Sequence, residues 1–182
     1  MPTSSLPSLL AEIQTAFPPP ALARGMPAVA TQDARATSPT AAQLASHWAD
    51  LSEEEIAATW ANRADLPAAD FRQYLPAWLC HSLRASVNSP VDLAPLLALL
   101  KLPTELPPPV AVAADDLVAQ LQAQLELTNQ ALQRFISRMS HLTPNQGRAV
   151  YHFLAYVRDT AAESTWSRLA EQAVQRYWFC YS

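Results

Sequence analysis

The sequence predicts an all-α fold, a single-domain irregular bundle of about seven helices with a proline-rich N-terminal linker, and three observations carry that prediction. Glycine is nearly absent: Gly25 and Gly147 are the only two in 182 residues. Alanine and leucine far outweigh valine and isoleucine, a balance that favours helix over strand on intrinsic propensity. Apolar side chains recur three and four positions apart along most of the chain, the spacing that gathers one face of a helix. With 50% hydrophobic and 15% charged residues, a chain of this length forms a single domain with a real core.

Leu6, Leu9, Leu10, Ile13 and Phe17 predict a first short helix from about Pro7 to Ala16, stopped by Pro18, Pro19 and Pro20. Residues 18–40 then read as a proline- and alanine-rich linker between an N-terminal helix (1–17) and the helical domain (41–182). From Ala41 a segment carries Leu44, Trp48 and Leu51. Ser52 with Glu55 three positions later is a capping box that starts the next helix, with Ile56 and Trp60 facing inward. Asp65 to Pro67 reads as another helix start, followed by the strongest stripe of the chain, Phe71, Tyr74, Leu75, Trp78 and Leu79.

Ser89-Pro90 is read as the start of a short helix bearing Leu93, Leu96, Leu97 and Leu100, closed by the prolines from Pro103 to Pro109. Val118, Leu121, Leu125, Thr128, Leu132, Phe135, Met139 and Leu142 then form a heptad seam, on one long helix or on two broken near Thr128. Thr143-Pro144-Asn145-Gln146 combines a capping threonine, a proline in the first turn and a glutamine at N3, ahead of Val150, Phe153, Leu154 and Val157. Thr160 with Glu163 reads as a further capping box for a last helix running through Trp166, Leu169, Ala173, Val174, Tyr177 and Trp178.

Two glycines rule out most phosphate and nucleophile machinery. Dinucleotide turns, P-loops and nucleophile elbows all need backbone shapes that glycine adopts cheaply, and none of their motifs can be written here. The net charge of −4 opposes a nucleic-acid groove, even where Arg168, Arg176, Tyr177 and Trp178 interleave basic and aromatic residues. Cys80 and Cys180 are too few and too far apart for a disulfide framework. The first residues lack the basic and apolar regions of a secretory signal, and the most apolar run, Val91 to Leu100, is too short to cross a bilayer. The expected protein is therefore soluble and cytoplasmic, free of membrane and nucleic acid.

Phe71-Arg72-Gln73-Tyr74-Leu75-Pro76-Ala77-Trp78-Leu79 resembles the F-R-x-Y-L-P-A signature of an uncharacterised bacterial family, a domain of unknown function. Leu142-Thr143-Pro144-Asn145-Gln146, with Ala149-Val150 and Phe153-Leu154, is similar to that family's L-T-P-x-Q block. Trp48 and the closing Tyr177-Trp178 are further points of likeness, so the resemblance spans roughly Gln43 to the end. Ahead of the first block the family tends to have L-T-P, where this chain has Leu66-Pro67-Ala68. The resemblance implies a fold and supplies no reaction.

Candidate chemistry centres on Arg72, Tyr74, Pro76 and Trp78. Pro76 has no N–H for the Arg72 carbonyl, which leaves a kink or a freed acceptor beside an arginine and two aromatics. That arrangement makes either a small ligand pocket or an aromatic core with Arg72 paired to Asp70 or Glu55. His47, His81, His141 and His152 lack metal-ligand spacing; His47 with Asp50 or Glu54 is the nearest approach to a site. Cys80 and His81 are neighbours whose side chains diverge by about 100° on a helix. No catalytic, cofactor or metal residues are assigned. The leading expectation is a non-catalytic protein acting through contacts with another protein, accessory or immunity-like, by the Val118 to Leu142 seam. The alternative is a small ligand-binding domain or enzyme with its pocket at the Pro76 kink around Arg72.

Overall fold

The computed structural model describes residues 5–18, 48–63, 65–88, 92–103, 114–161 and 164–182, with 86–88 and 114–117 as backbone only. Among these residues the chain forms seven α-helices and no strand: α1 Leu6–Ala16, α2 Glu53–Ala61, α3 Ala68–Asn88, α4 Ala94–Leu100, α5 Ala114–Met139, α6 Pro144–Thr160 and α7 Thr165–Arg176. Short 3-10 turns stand at Trp48–Asp50 and Trp178–Tyr181. No described helix is long and apolar enough to cross a membrane.

Helix α6 is the centre of the bundle. It pairs most extensively with α7, carries α1 on another side, and receives the C-terminal 3-10 turn. Its inward residues Ala149, Val150, Phe153, Leu154 and Val157 meet Leu9 and Ile13 of α1 in one core. Glu12 of α1 also reaches His152 of α6, Oε1 to Nδ1 at 2.7 Å. On the other flank α4 packs on α7, while α3 gathers α1, α2 and α5 around it.

Local capping starts two helices where the sequence places them. Ser52 accepts from Glu55 N while the Glu55 carboxylate accepts from Ser52 N at 2.8 Å. Thr143 and Gln146 do the same at α6, with Thr143 N donating to Gln146 Oε1 at 3.0 Å. Each box satisfies amide groups that the first turn of a helix leaves without partners.

Other boundaries differ from the sequence reading, each for a local reason. Helix α4 is described from Ala94, where Asp92 Oδ1 accepts from Ala94 N at 2.9 Å and Pro95 takes the first turn; Ser89-Pro90, the expected start, lies outside the described residues. Thr160 is the last residue of α6 and its hydroxyl donates back to Tyr156 O; Ser164 caps α7 by accepting from Ser167 N. Tyr177 and Trp178 lie past α7, in the turn and the 3-10 segment. Of the two alternatives for α5 the single long helix is the one formed, unbroken at Thr128, whose hydroxyl donates to Gln124 O at 2.8 Å; only Leu142 falls outside it, in the turn beyond. No residue of α2 is fully buried, so Ile56 and Trp60 pack at the edge of the core. The expected linker 18–40 beyond Pro18, the segment from Ala41 to His47, and most of the Pro103 to Pro109 stretch lie outside the described residues.

Gly147 is set by packing. A Cβ there would overlap Tyr181 Cε1 and stand 2.5 Å from Cδ1, because the aromatic ring lies against the α6 backbone. In an open helix, Gly to Ala stabilises by up to about 1 kcal/mol. Here we expect Gly147→Ala to destabilise by about 1–2 kcal/mol through displacement of the ring. Chemical denaturation of Gly147→Ala, Tyr181→Ala and the double variant checks this: the penalty of the added methyl group should vanish once the ring is gone.

Candidate functional site

Successive residues on α3 are rotated by about 100°, so Ala69, Arg72, Gln73 and Pro76 form one stripe while Phe71, Tyr74, Leu75 and Trp78 form another. The structure treats the two stripes differently. Arg72 and Pro76 line a cavity of about 350 Å³ together with Ala69, Gln73, Phe17, Pro18, Trp48, His141 and Gln146. Tyr74 and Trp78 are elsewhere, in an aromatic cluster where Trp78 meets Trp60 and Phe71 edge-on at 5.6 and 5.7 Å and stacks with Tyr74 at 6.3 Å. The Trp78 indole donates to Thr59 Oγ1 at 3.2 Å.

Four parts of the chain converge on the cavity. Trp48 is buried and its indole N–H donates to Phe17 O at 2.8 Å, which fastens the 3-10 turn to the end of α1. Gln146 is 4% exposed, its carbonyl oxygen held by the Thr143 amide in the capping box. His141 stands in the tight α5–α6 turn, where Leu142 N donates to Met139 O at 3.0 Å. Pro76 lies inside α3 without ending it, and offers no N–H to the carbonyl of Arg72.

The charge balance at this cavity is one-sided. Its wall holds one guanidinium, one imidazole and two amides, with no carboxylate among the lining residues. Arg72 is exposed and makes no ion pair among the described residues, so its expected pairing with Asp70 or Glu55 is not formed. Glu55 is occupied by Ser52, whose backbone and side chain hold its carboxyl below the usual range. The first turn of α6 carries no acidic residue to offset the positive end of its dipole.

Two contributors escaped the linear reading. His141 reaches the cavity of Arg72 only through the α5–α6 turn, and no local pattern announces that. Arg138 is 5% exposed, and its Nη2 donates to Arg63 O at 3.1 Å and Leu66 O at 2.8 Å. Its guanidinium lies 4.8 Å from the centre of the Phe71 ring. Burial pushes its pKa down, as does Arg134, while Asp65 opposes the shift. The sequence signal was an arginine beside Met139 on the covered side of the heptad.

A second cavity of about 340 Å³ lies between α2 and α3 and includes Glu53, Cys80, His81 and Arg84. Burial pushes the Cys80 thiol up to about 11, with Arg84 pulling the other way, so it remains a protonated packing group at neutral pH. Among the described residues no three or more His, Cys, Asp or Glu side chains gather as metal ligands. His47 lies outside the described residues.

The heptad seam divides along its length. Phe135, Met139 and Leu142 are buried, whereas Val118, Leu121 and Leu125 are 64%, 42% and 54% exposed, and Ile136 continues the open stripe. From Val118 to Gln133 the only charged residue is Glu126. An apolar stripe of this kind on a helix segment with a single charged residue is a candidate contact surface.

A family model described as "Family of unknown function (DUF6714)" matches residues 8–182. Neither a curated protein nor a solved structure matches the chain. The chain belongs to that family of unknown function, and the match extends further toward the N-terminus than the two sequence blocks do.

Proposed function

We propose that this member of the family works without catalysis, through protein contacts made by the open side of α5, with a second copy of the chain as the partner. One observation carries the reading: Val118, Leu121 and Leu125 hold successive heptad positions and stay exposed, while Phe135 and Met139 of the same seam are buried. Flanking positions are Gln122, Asn129 and Ala131, so nothing charged repels an identical helix or selects an oppositely charged one. Glu126 is turned to its own helix by Gln130, whose Nε2 donates to it at 2.9 Å. Half-exposed leucines return about 1 kcal/mol each on burial, and association costs at least about 4 kcal/mol, which predicts a weak dimer.

Sedimentation velocity over about 5 to 500 µM should show a concentration-dependent dimer. The double variant Leu121→Glu with Leu125→Glu should remain monomeric at the same thermal midpoint, since both side chains are exposed. A chain that is monomeric over the whole range, or a glutamate variant that dimerises unchanged, overturns the reading.

A second reading, a small-ligand-binding domain, is favoured by one specific observation. The Arg72–Pro76 stripe borders a cavity that also holds His141 and Gln146 and, among the described residues, no carboxylate.

A further inference from the structure

We infer that the cavity at Arg72 binds a small organic monocarboxylate whose flat apolar body lies against Phe17, Trp48 and Pro76. The inference rests on the second reading, that this cavity takes a ligand, and names the ligand's chemistry. The chain carries 16 acidic against 12 basic residues, yet among the described residues no acidic one lines this cavity. A negative group placed there meets Arg72 and His141 and no carboxylate of a described residue. The guanidinium is planar and presents parallel N–H groups that match the two oxygens of a carboxylate.

The number of charges decides between anions. Among the described residues Arg72 is the only fixed cation on the wall, which balances one negative charge and leaves a phosphate dianion half-compensated. The remaining surface argues for an organic body. Phe17, Trp48, Pro76, Pro18 and Ala69 supply apolar contact for it. A volume of about 350 Å³ is at the small end of ligand pockets, which run about 300–1,000 Å³.

The test is an NMR titration of the full chain with 2-naphthoate, its neutral isostere 2-naphthamide and inorganic phosphate, following the Trp48 indole N–H. Naphthoate should shift that signal saturably, and naphthamide and phosphate should bind at least about tenfold more weakly, a difference of about 1.4 kcal/mol. Arg72→Gln should weaken naphthoate by a similar factor, while Arg168→Gln, which removes an equal charge outside the cavity, should not. Arg72 is exposed, so its variant should fold; the carboxylate-to-amide comparison on the unaltered chain decides the matter independently. Equal binding of acid and amide, tighter binding of phosphate, or no effect of Arg72→Gln overturns the monocarboxylate assignment while leaving a ligand site in place. No saturable shift with any of the three probes overturns the ligand-binding reading as well.

Discussion

Trp178→Ala is expected to lower the unfolding free energy by about 3–5 kcal/mol, the usual range for deleting a fully buried tryptophan. Its side chain has no exposed surface, and it links three parts of the fold. The indole N–H donates to Leu100 O at 2.7 Å. That carbonyl belongs to the last turn of α4, where helix carbonyls lack partners in their own helix. The ring also meets Tyr177 edge-on at 5.1 Å and Tyr181 at 5.7 Å. Removing it opens a cavity, orphans the Leu100 carbonyl and loosens the ring that rests on Gly147. At about 2–4 °C per kcal/mol for a chain of this size, the thermal midpoint should fall by roughly 10 °C. Trp178→Phe retains most of the apolar volume and loses the donor, so it should cost about 1–3 kcal/mol. Denaturant titration of both variants checks the ordering, and equal losses would show that the hydrogen bond, not the packing, dominates.

Arg138 should have the next largest effect. Arg138→Ala removes two hydrogen bonds to the carbonyls of Arg63 and Leu66 and uncovers the Phe71 ring, with an expected loss of about 2–4 kcal/mol. Those carbonyls belong to the connection between α2 and α3, so the guanidinium fastens that connection to α5. Arg138→Met keeps the apolar stem without the donors and should recover only the packing part. Arg138→Lys offers a compact ammonium in place of a planar fork and should fall short of the native residue. Denaturant titration of the three variants checks the order, and full stability in Arg138→Met would mean that the two carbonyls are equally well served by water.

The legible parts of this fold are those governed by contacts three or four residues apart. The capping boxes at Ser52–Glu55 and Thr143–Gln146 could be written down from the sequence because both partners lie within one turn. Starts are harder to place where several polar residues could cap. At α4 the Asp92 side chain takes the amide of Ala94, a contact two residues long that is absent from the sequence reading. The expected cap Thr160 closes α6 instead, its hydroxyl turned back to its own helix, and Ser164 caps α7.

The candidate site was half legible for the same reason. The F-R-x-Y-L-P-A block identified α3 and its residues, but Arg72 and Pro76 share a stripe that Tyr74 and Trp78 do not. Period alone shows both stripes without saying that one packs into aromatics and the other borders open space. His141 and Trp48 come to the cavity from distant positions, fastened by a turn and by the bond from the Trp48 indole to Phe17 O.

By itself, the sequence determined that this protein is helical and where most of its helices begin, because backbone propensity and end-capping act within a turn. Tertiary structure alone decided which apolar faces were covered. An apolar stripe states that a surface gains by leaving water, and it is silent about which neighbour will cover it. Along α5 the same heptad seam is closed at Met139 and open at Leu125, a difference made entirely by what the rest of the chain brings against it.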